Sequence, residues 1–148
     1  MIKMTKTIFF DMDGTIADLY NVTNWLDLLI AEDTLPYAIA KPLVRLSSLA
    51  KVLNRLQNQG YRLGIISWTS KGGSKNYNRE VKEAKLEWLT HHLPSVHWDE
   101  IHIEPYGTPK QMFSNGEDIL FDDEYQNRAN WIGEAFGVNN IMEILKNL

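Results

Sequence analysis

The sequence predicts a three-layer αβα domain, a parallel Rossmann-like sheet with helices on both faces. Two observations carry that expectation. Short β-branched and aromatic runs alternate with stretches of helical periodicity. Such alternation builds βαβ units, whose crossovers lay helices on both faces of a parallel sheet. Two of the apolar runs end abruptly on carboxylates, Asp11 with Asp13 and Asp122 with Asp123. Ligands of such sheets bind beyond the carboxyl ends of the strands, so these residues and Ser67 gather at one rim.

The elements follow in order. Residues 7–10, Thr-Ile-Phe-Phe, read as a buried strand. Residues 21–30 carry Trp25, Leu26, Leu29 and Ile30 at helical spacing, and Pro36 ends that pattern. A helix is expected from Pro42, a favoured first-turn residue, to Gln59, with Gly60 as its stop. Residues 61–66 read as a strand leading to Ser67, Trp68, Thr69 and Ser70. A flexible basic loop, 71–75, precedes a helix over 78–92 whose inward face is Val81, Ala84, Trp88 and Leu89. Residues 101–103 and 118–121 are further strands, and Lys110 sits just past Pro109 at the start of a short helix. Tyr125, Ala129, Ile132 and Phe136 predict one last helix, stopped by Gly137. The spacing leaves 141–148 open between strand and helix.

With 148 residues, 44% of them hydrophobic, the chain is expected to be one domain over 1–148. A net charge of −4 weighs against a dedicated nucleic-acid binder, which needs a basic face. No cysteine is present, which removes thiolate zinc sites and cysteine nucleophiles and fits a reducing compartment. Lys3 and Lys6 precede only a short apolar run, unlike a signal peptide, and no stretch is long enough to cross a bilayer. The expected location is the cytoplasm.

The chemistry starts at Asp11-Met12-Asp13-Gly14-Thr15. Residues two apart on an extended backbone face the same way, so both carboxylates can enter one site. Gly14 lets the chain turn at once, and Thr15 adds a hydroxyl and an N–H. Carboxylates crowded together repel, and oxygen-only ligands suit a hard cation such as Mg2+.

In chain order the set is Asp-x-Asp-Gly-Thr, a Ser after a strand, a Lys, and Asp-Asp after a strand. This order resembles the four signatures of the haloacid dehalogenase (HAD) superfamily of phosphatases, and it extends from the first strand to about residue 137. The resemblance implies an aspartyl-phosphate mechanism with Asp11 as nucleophile and Asp13 as acid and base. It implies Ser67 and Lys110 on the phosphoryl group, with Thr69 an alternative to Ser67. The metal would be held by Asp11, the backbone of Asp13, Asp122 and Asp123. The expected substrate contacts are Gly14, Thr15, Trp68, Thr69 and Lys71. The motif with its trailing Ile16-Ala17-Asp18 resembles deoxyribonucleotidase-type members, which makes a nucleoside monophosphate the first expectation. A nucleic-acid end, a phosphoprotein, or a non-catalytic phosphate-binding module are the alternatives. Family members often insert a cap after the first motif, and here the space for one is 19–41.

Overall fold

The computed structural model describes residues 5–148, so Lys3 lies outside the described residues. Its centre is a five-stranded parallel sheet. β1 (Thr7–Phe10) is fully buried and runs between two neighbours. β2 (Ala17–Asp18) and β3 (Lys41–Pro42) form a separate antiparallel pair. The remaining strands of the main sheet are β4 (Arg62–Trp68), β5 (Glu100–Glu104), β6 (Ile119–Phe121) and β7 (Glu134–Phe136). Their spatial order is β5-β4-β1-β6-β7. The chain therefore winds outward from β1 to β5, then returns to lay β6 on the other side of β1. That reversal makes the β1/β6 junction the topological switch point, where a crevice opens beyond the strand ends.

The helices are α1 (Trp25–Ile30), α2 (Leu35–Ile39), α3 (Leu46–Asn58), α4 (Lys75–His92), α5 (Tyr125–Asn130) and α6 (Ile141–Lys146). One face of the sheet carries the larger core. Ile8, Phe10, Leu63, Ile65, Ile119 and Phe121 meet Leu53 and Leu56 of α3, Trp88 and Leu89 of α4, and Leu145 of α6. The other face is thinner: Phe9, Ile66 and Leu120 pack on Trp131, just past α5, and on Phe113 of a 3₁₀ turn, Lys110–Phe113.

Several expected boundaries move, each for a physical reason. The helix expected from Pro42 begins at Leu46. Pro42 instead sits in the β2/β3 stem opposite Ala17, where its lost N–H matters little on a two-residue strand. The helix expected over 21–30 is confined to α1, with a 3₁₀ turn at Leu19–Asn21 before it. Pro36, read as a breaker, lies in the first turn of α2, where proline is tolerated. β4 continues through Ser67 and Trp68, two residues beyond the expected end. α4 starts at Lys75, because the Ser74 hydroxyl accepts from the Tyr77 N–H at 3.1 Å as its N-cap. The tail left open between strand and helix is α6.

The largest correction concerns 125–136. The expected single helix ends at Asn130, and 134–136 pair with 119–121 as the fifth strand. Gly133, at φ +129°, makes the break. A β-carbon there would run into the Asp118 carbonyl oxygen, which also accepts from the Trp131 indole N–H at 2.9 Å.

This close approach yields a test. Gly116 also has positive φ, at +99°, but open space around it. Gly116→Ala should cost about 1–2 kcal/mol from backbone strain. Gly133→Ala should cost about 1–3 kcal/mol more, from overpacking against the Asp118 backbone. Denaturant midpoints of the two variants check the difference.

Candidate active site

The switch point places the acidic residues as the strand ends require. Asp11 directly follows β1 and Asp122 directly follows β6, and the Asp11 N–H donates to the Phe121 carbonyl at 2.9 Å. Ligand oxygens of Asp11, Asp122 and Asp123 all lie within 4.8 Å of one another. Asp122 is wholly buried, and Asp11 nearly so.

Two buried lysines pair with the aspartates, Lys110 with this cluster and Lys85 with Asp13. Lys110, at the start of the 3₁₀ turn, donates to Asp11 Oδ1 at 2.9 Å and to Asp122 Oδ2 at 2.7 Å. Burial would lower its pKa, but the Asp11 and Asp122 carboxylates outweigh that and hold it above the usual lysine value. Lys85, on α4, donates to Asp13 Oδ2, the Ser67 hydroxyl and the Trp68 carbonyl, each at 2.7 Å. Its side chain is 2% exposed. Sequence reasoning missed Lys85, although it lies four residues after Val81 and four before Leu89 on the stripe that α4 buries. A lysine on a buried stripe is the pattern that could have found it.

Thr15 joins the first and last acidic motifs. Its hydroxyl donates to Asp11 Oδ2 at 3.0 Å and accepts from the Asp123 N–H at 3.2 Å. Gly14, at φ +79°, turns the chain where a β-carbon would collide with the Asp123 carboxylate. Both residues sit against the carboxylates and are not among those that line the cavity. Ser67 lies within β4, where its side chain is wholly buried and its hydroxyl accepts from Lys85 Nζ at 2.7 Å.

The cavity above the cluster measures about 400 Å³. Asp11, Asp13, Lys110 and Asp122 form part of its lining, and Trp68, Thr69 and Lys71 lie on its wall. Tyr106 packs on Trp68 with ring centroids 4.9 Å apart. The Trp68 indole N–H is spent on the Thr108 carbonyl at 2.9 Å, so the residue offers a face and no donor. The segment 19–40 contributes Tyr20, Trp25, Leu29 and Tyr37 to the same lining. It is fastened to α4: Glu32 accepts from the Ser74 N–H and hydroxyl at 2.7 and 2.8 Å, and the Tyr77 hydroxyl donates to the Asp33 carbonyl at 2.9 Å.

The charges do not balance within the chain. Fully ionised, Asp11, Asp13, Asp122 and Asp123 would bring four negative charges against the two positive charges of Lys85 and Lys110. The Asp122 and Asp123 carboxyls are both pushed up, by burial first and the Asp11 charge second. The Asp13 carboxyl is also raised by burial, with Lys85 pulling the other way. A divalent cation among Asp11, Asp122 and Asp123 has the charge and the oxygen ligands to close this gap.

Among the solved structures similar to the chain are two phosphatases. The D,D-heptose 1,7-bisphosphate phosphatase from Burkholderia thailandensis superposes with a TM-score of 0.59 at 12% identity, over 97% of each chain. That from B. bronchiseptica, complexed with magnesium and phosphate, gives 0.54 at 9% identity over 97% of this chain and 99% of its own. The chain has the HAD-like fold. Neither a family model nor a curated protein matches the sequence. Among the described residues no helix is long and apolar enough to cross a membrane.

The raised carboxyls set a pH dependence. A carboxyl whose pKa is higher in the folded than in the unfolded state favours folding while protonated. It opposes folding as pH rises above the ordinary carboxylate range and the group is forced to ionise. Metal-free protein should therefore melt lower at pH 8 than at pH 5, and added Mg2+ should raise the melting temperature more at pH 8. Asp123→Asn should reduce both effects. Thermal melts in chelator and in Mg2+ measure all three.

Proposed function

We propose that the chain is a Mg2+-dependent phosphomonoesterase of the HAD superfamily, acting through an aspartyl-phosphate on Asp11. The observation that carries this reading is Asp11 at the switch point, ringed by Asp122, Asp123 and Lys110 at the floor of an open cavity. The B. bronchiseptica phosphatase, crystallised with magnesium and phosphate on the same fold, supports the choice of metal. Asp11, Asp122, Asp123 and the Asp13 backbone carbonyl would hold Mg2+. When bound, it supplies positive charge against the phosphoryl oxygens.

The chain's own residues do the rest. An Asp11 oxygen attacks phosphorus, and the bond to the leaving oxygen breaks. Asp13 gives its proton to that oxygen, then takes one from the water that hydrolyses the aspartyl-phosphate. Burial, which raises the Asp13 carboxyl, suits it to carry a proton. Lys110 places a fixed charge beside the phosphoryl group. We move the phosphoryl-contacting hydroxyl from Ser67 to Thr69, which lines the cavity.

The substrate we favour is a (deoxy)nucleoside monophosphate. Trp68 and Tyr106 offer stacking faces, and Lys71 lies 5.7 Å from the Tyr106 ring on the rim. Residues 19–41, entered and left through the β2/β3 stem, would act as a minimal cap. A 5′- or 3′-phosphorylated nucleic-acid end is the second reading, favoured by the exposed Lys71 and Lys75 beside the opening. The cytoplasm is the compartment in which we place this activity.

Phosphate release across nucleoside monophosphates, phosphorylated oligonucleotides and hexose phosphates tests the substrate. Stacking is worth about 1–3 kcal/mol per base, so nucleotides should lead hexose phosphates by roughly tenfold in kcat/KM. Asp11→Asn should lower turnover by several orders of magnitude with the fold retained. Turnover within tenfold of the parent would exclude the covalent mechanism. Lys110→Ala should lower kcat, whereas Lys71→Ala should raise KM, and raise it most at low salt.

A further inference from the structure

The cluster around Lys85 is unusual for the interior of a helix–sheet contact. An apolar residue between Val81 and Leu89 would complete the stripe of α4 without burying a charge. Lysine stands there instead, and it has three acceptors for its three N–H bonds: Asp13 Oδ2, Ser67 Oγ and the Trp68 carbonyl. The Tyr37 ring lies 5.2 Å from the ammonium on a further side. With every donor spent inside the protein, Lys85 has none left for a substrate. Its effect must pass through the groups it holds.

We propose that Lys85 is a positioning residue for the acid–base step: it fixes Asp13 so that the transferable proton resides on Oδ1. This rests on the reading of Asp13 as the general acid. A carboxyl free to rotate presents either oxygen to the cavity. With Oδ2 accepting from an ammonium at 2.7 Å, a proton on Asp13 is confined to Oδ1. As Asp11 attacks, the bond from phosphorus to the leaving oxygen breaks with its electron pair on that oxygen. The oxygen takes the Oδ1 proton, and Asp13 becomes a carboxylate that Lys85 still holds through Oδ2. The same ammonium holds the Trp68 carbonyl at the end of β4, so the acid is fixed relative to the wall that carries Trp68 and Thr69.

The test uses leaving groups. Phenyl phosphate needs its departing oxygen protonated, 4-nitrophenyl phosphate less so, and 2,4-dinitrophenyl phosphate hardly at all. The readout is kcat/KM with Mg2+ present, because it reports only steps through departure of the leaving group. Asp13→Asn should lose about 10²–10⁴-fold on phenyl phosphate and little on the dinitrophenyl ester. Lys85→Met and Lys85→Gln should slope in the same direction but less steeply, with a loss of about 10–100-fold on phenyl phosphate, the size known for outer-shell partners that orient a metal ligand. An equal loss on all three esters would make Lys85 a structural residue and overturn the proposal, as would failure of both variants to fold. A steep series for Asp13→Asn beside a flat one for the Lys85 variants would overturn this proposal alone. A flat series for Asp13→Asn would remove the acid assignment and this proposal with it.

Discussion

Four carboxylates crowd the β1/β6 junction, and the placement of the surrounding elements follows from the need to neutralise them. Buried carboxylates tolerate one another only when each finds a charge partner or a dense set of donors. No single element here could supply these. Lys110 arrives on a 3₁₀ turn after β5, Lys85 from the middle of α4, and the Thr15 hydroxyl from the turn after β1. Further donors come from α5 and its approach: the Glu124 N–H reaches Asp122 Oδ1 at 2.9 Å, and Asn127 reaches Oδ2 at 3.1 Å. Removing any of these groups leaves a buried charge less compensated, so the acidic cluster couples elements far apart in the chain.

The two lysines also divide the carboxylates into different chemical species. Lys110 bridges Asp11 and Asp122, binding the group that would attack phosphorus to one that would hold the cation. Lys85 contacts Asp13 alone among the four acids. Two aspartates separated by one residue thereby acquire separate environments, one facing the cation side and one facing α4. Separate environments are what allow one carboxylate to act as nucleophile while its neighbour carries a proton.

What could be read from the sequence follows from how local each signal is. The strand-end aspartates were legible because an apolar run stopping on a charge marks a rim position without any tertiary information. Lys110 and the short helix it opens were legible from Pro109. β7 was not, because Ile132 and Phe136 continue a spacing of three and four that begins at Tyr125, and three-residue strands carry too little alternation to compete. The Gly133 contact that breaks the pattern is with Asp118, fifteen residues earlier in the sequence numbering. The β2/β3 stem was hidden for the same reason: a pair of two-residue strands has no period. Ser67 was legible as a residue near a strand end, but its partner Lys85 comes from α4, and the direction of a hydroxyl is set by that partner.

The insert over the cavity is fixed more firmly than its composition suggests. α1 buries none of its residues fully, and Leu26 and Ile30 stand exposed, so α1 adds only the partly buried Trp25 and Leu29 to the apolar contact that holds the insert. It is held instead through α2 and the loop before it. Tyr37 packs with Tyr77 and Val81 of α4, the Trp88 indole N–H donates to the Ala40 carbonyl at 2.8 Å, and Glu32 engages the N-cap of the same helix. Tyr77, Val81, Lys85 and Trp88 lie at successive steps of three or four along α4 and form one continuous stripe. Three of them hold the insert, and the remaining one holds Asp13. The wall of the cavity and the acid at its floor are thus referenced to a single rigid helix, which limits how far one can shift without the other.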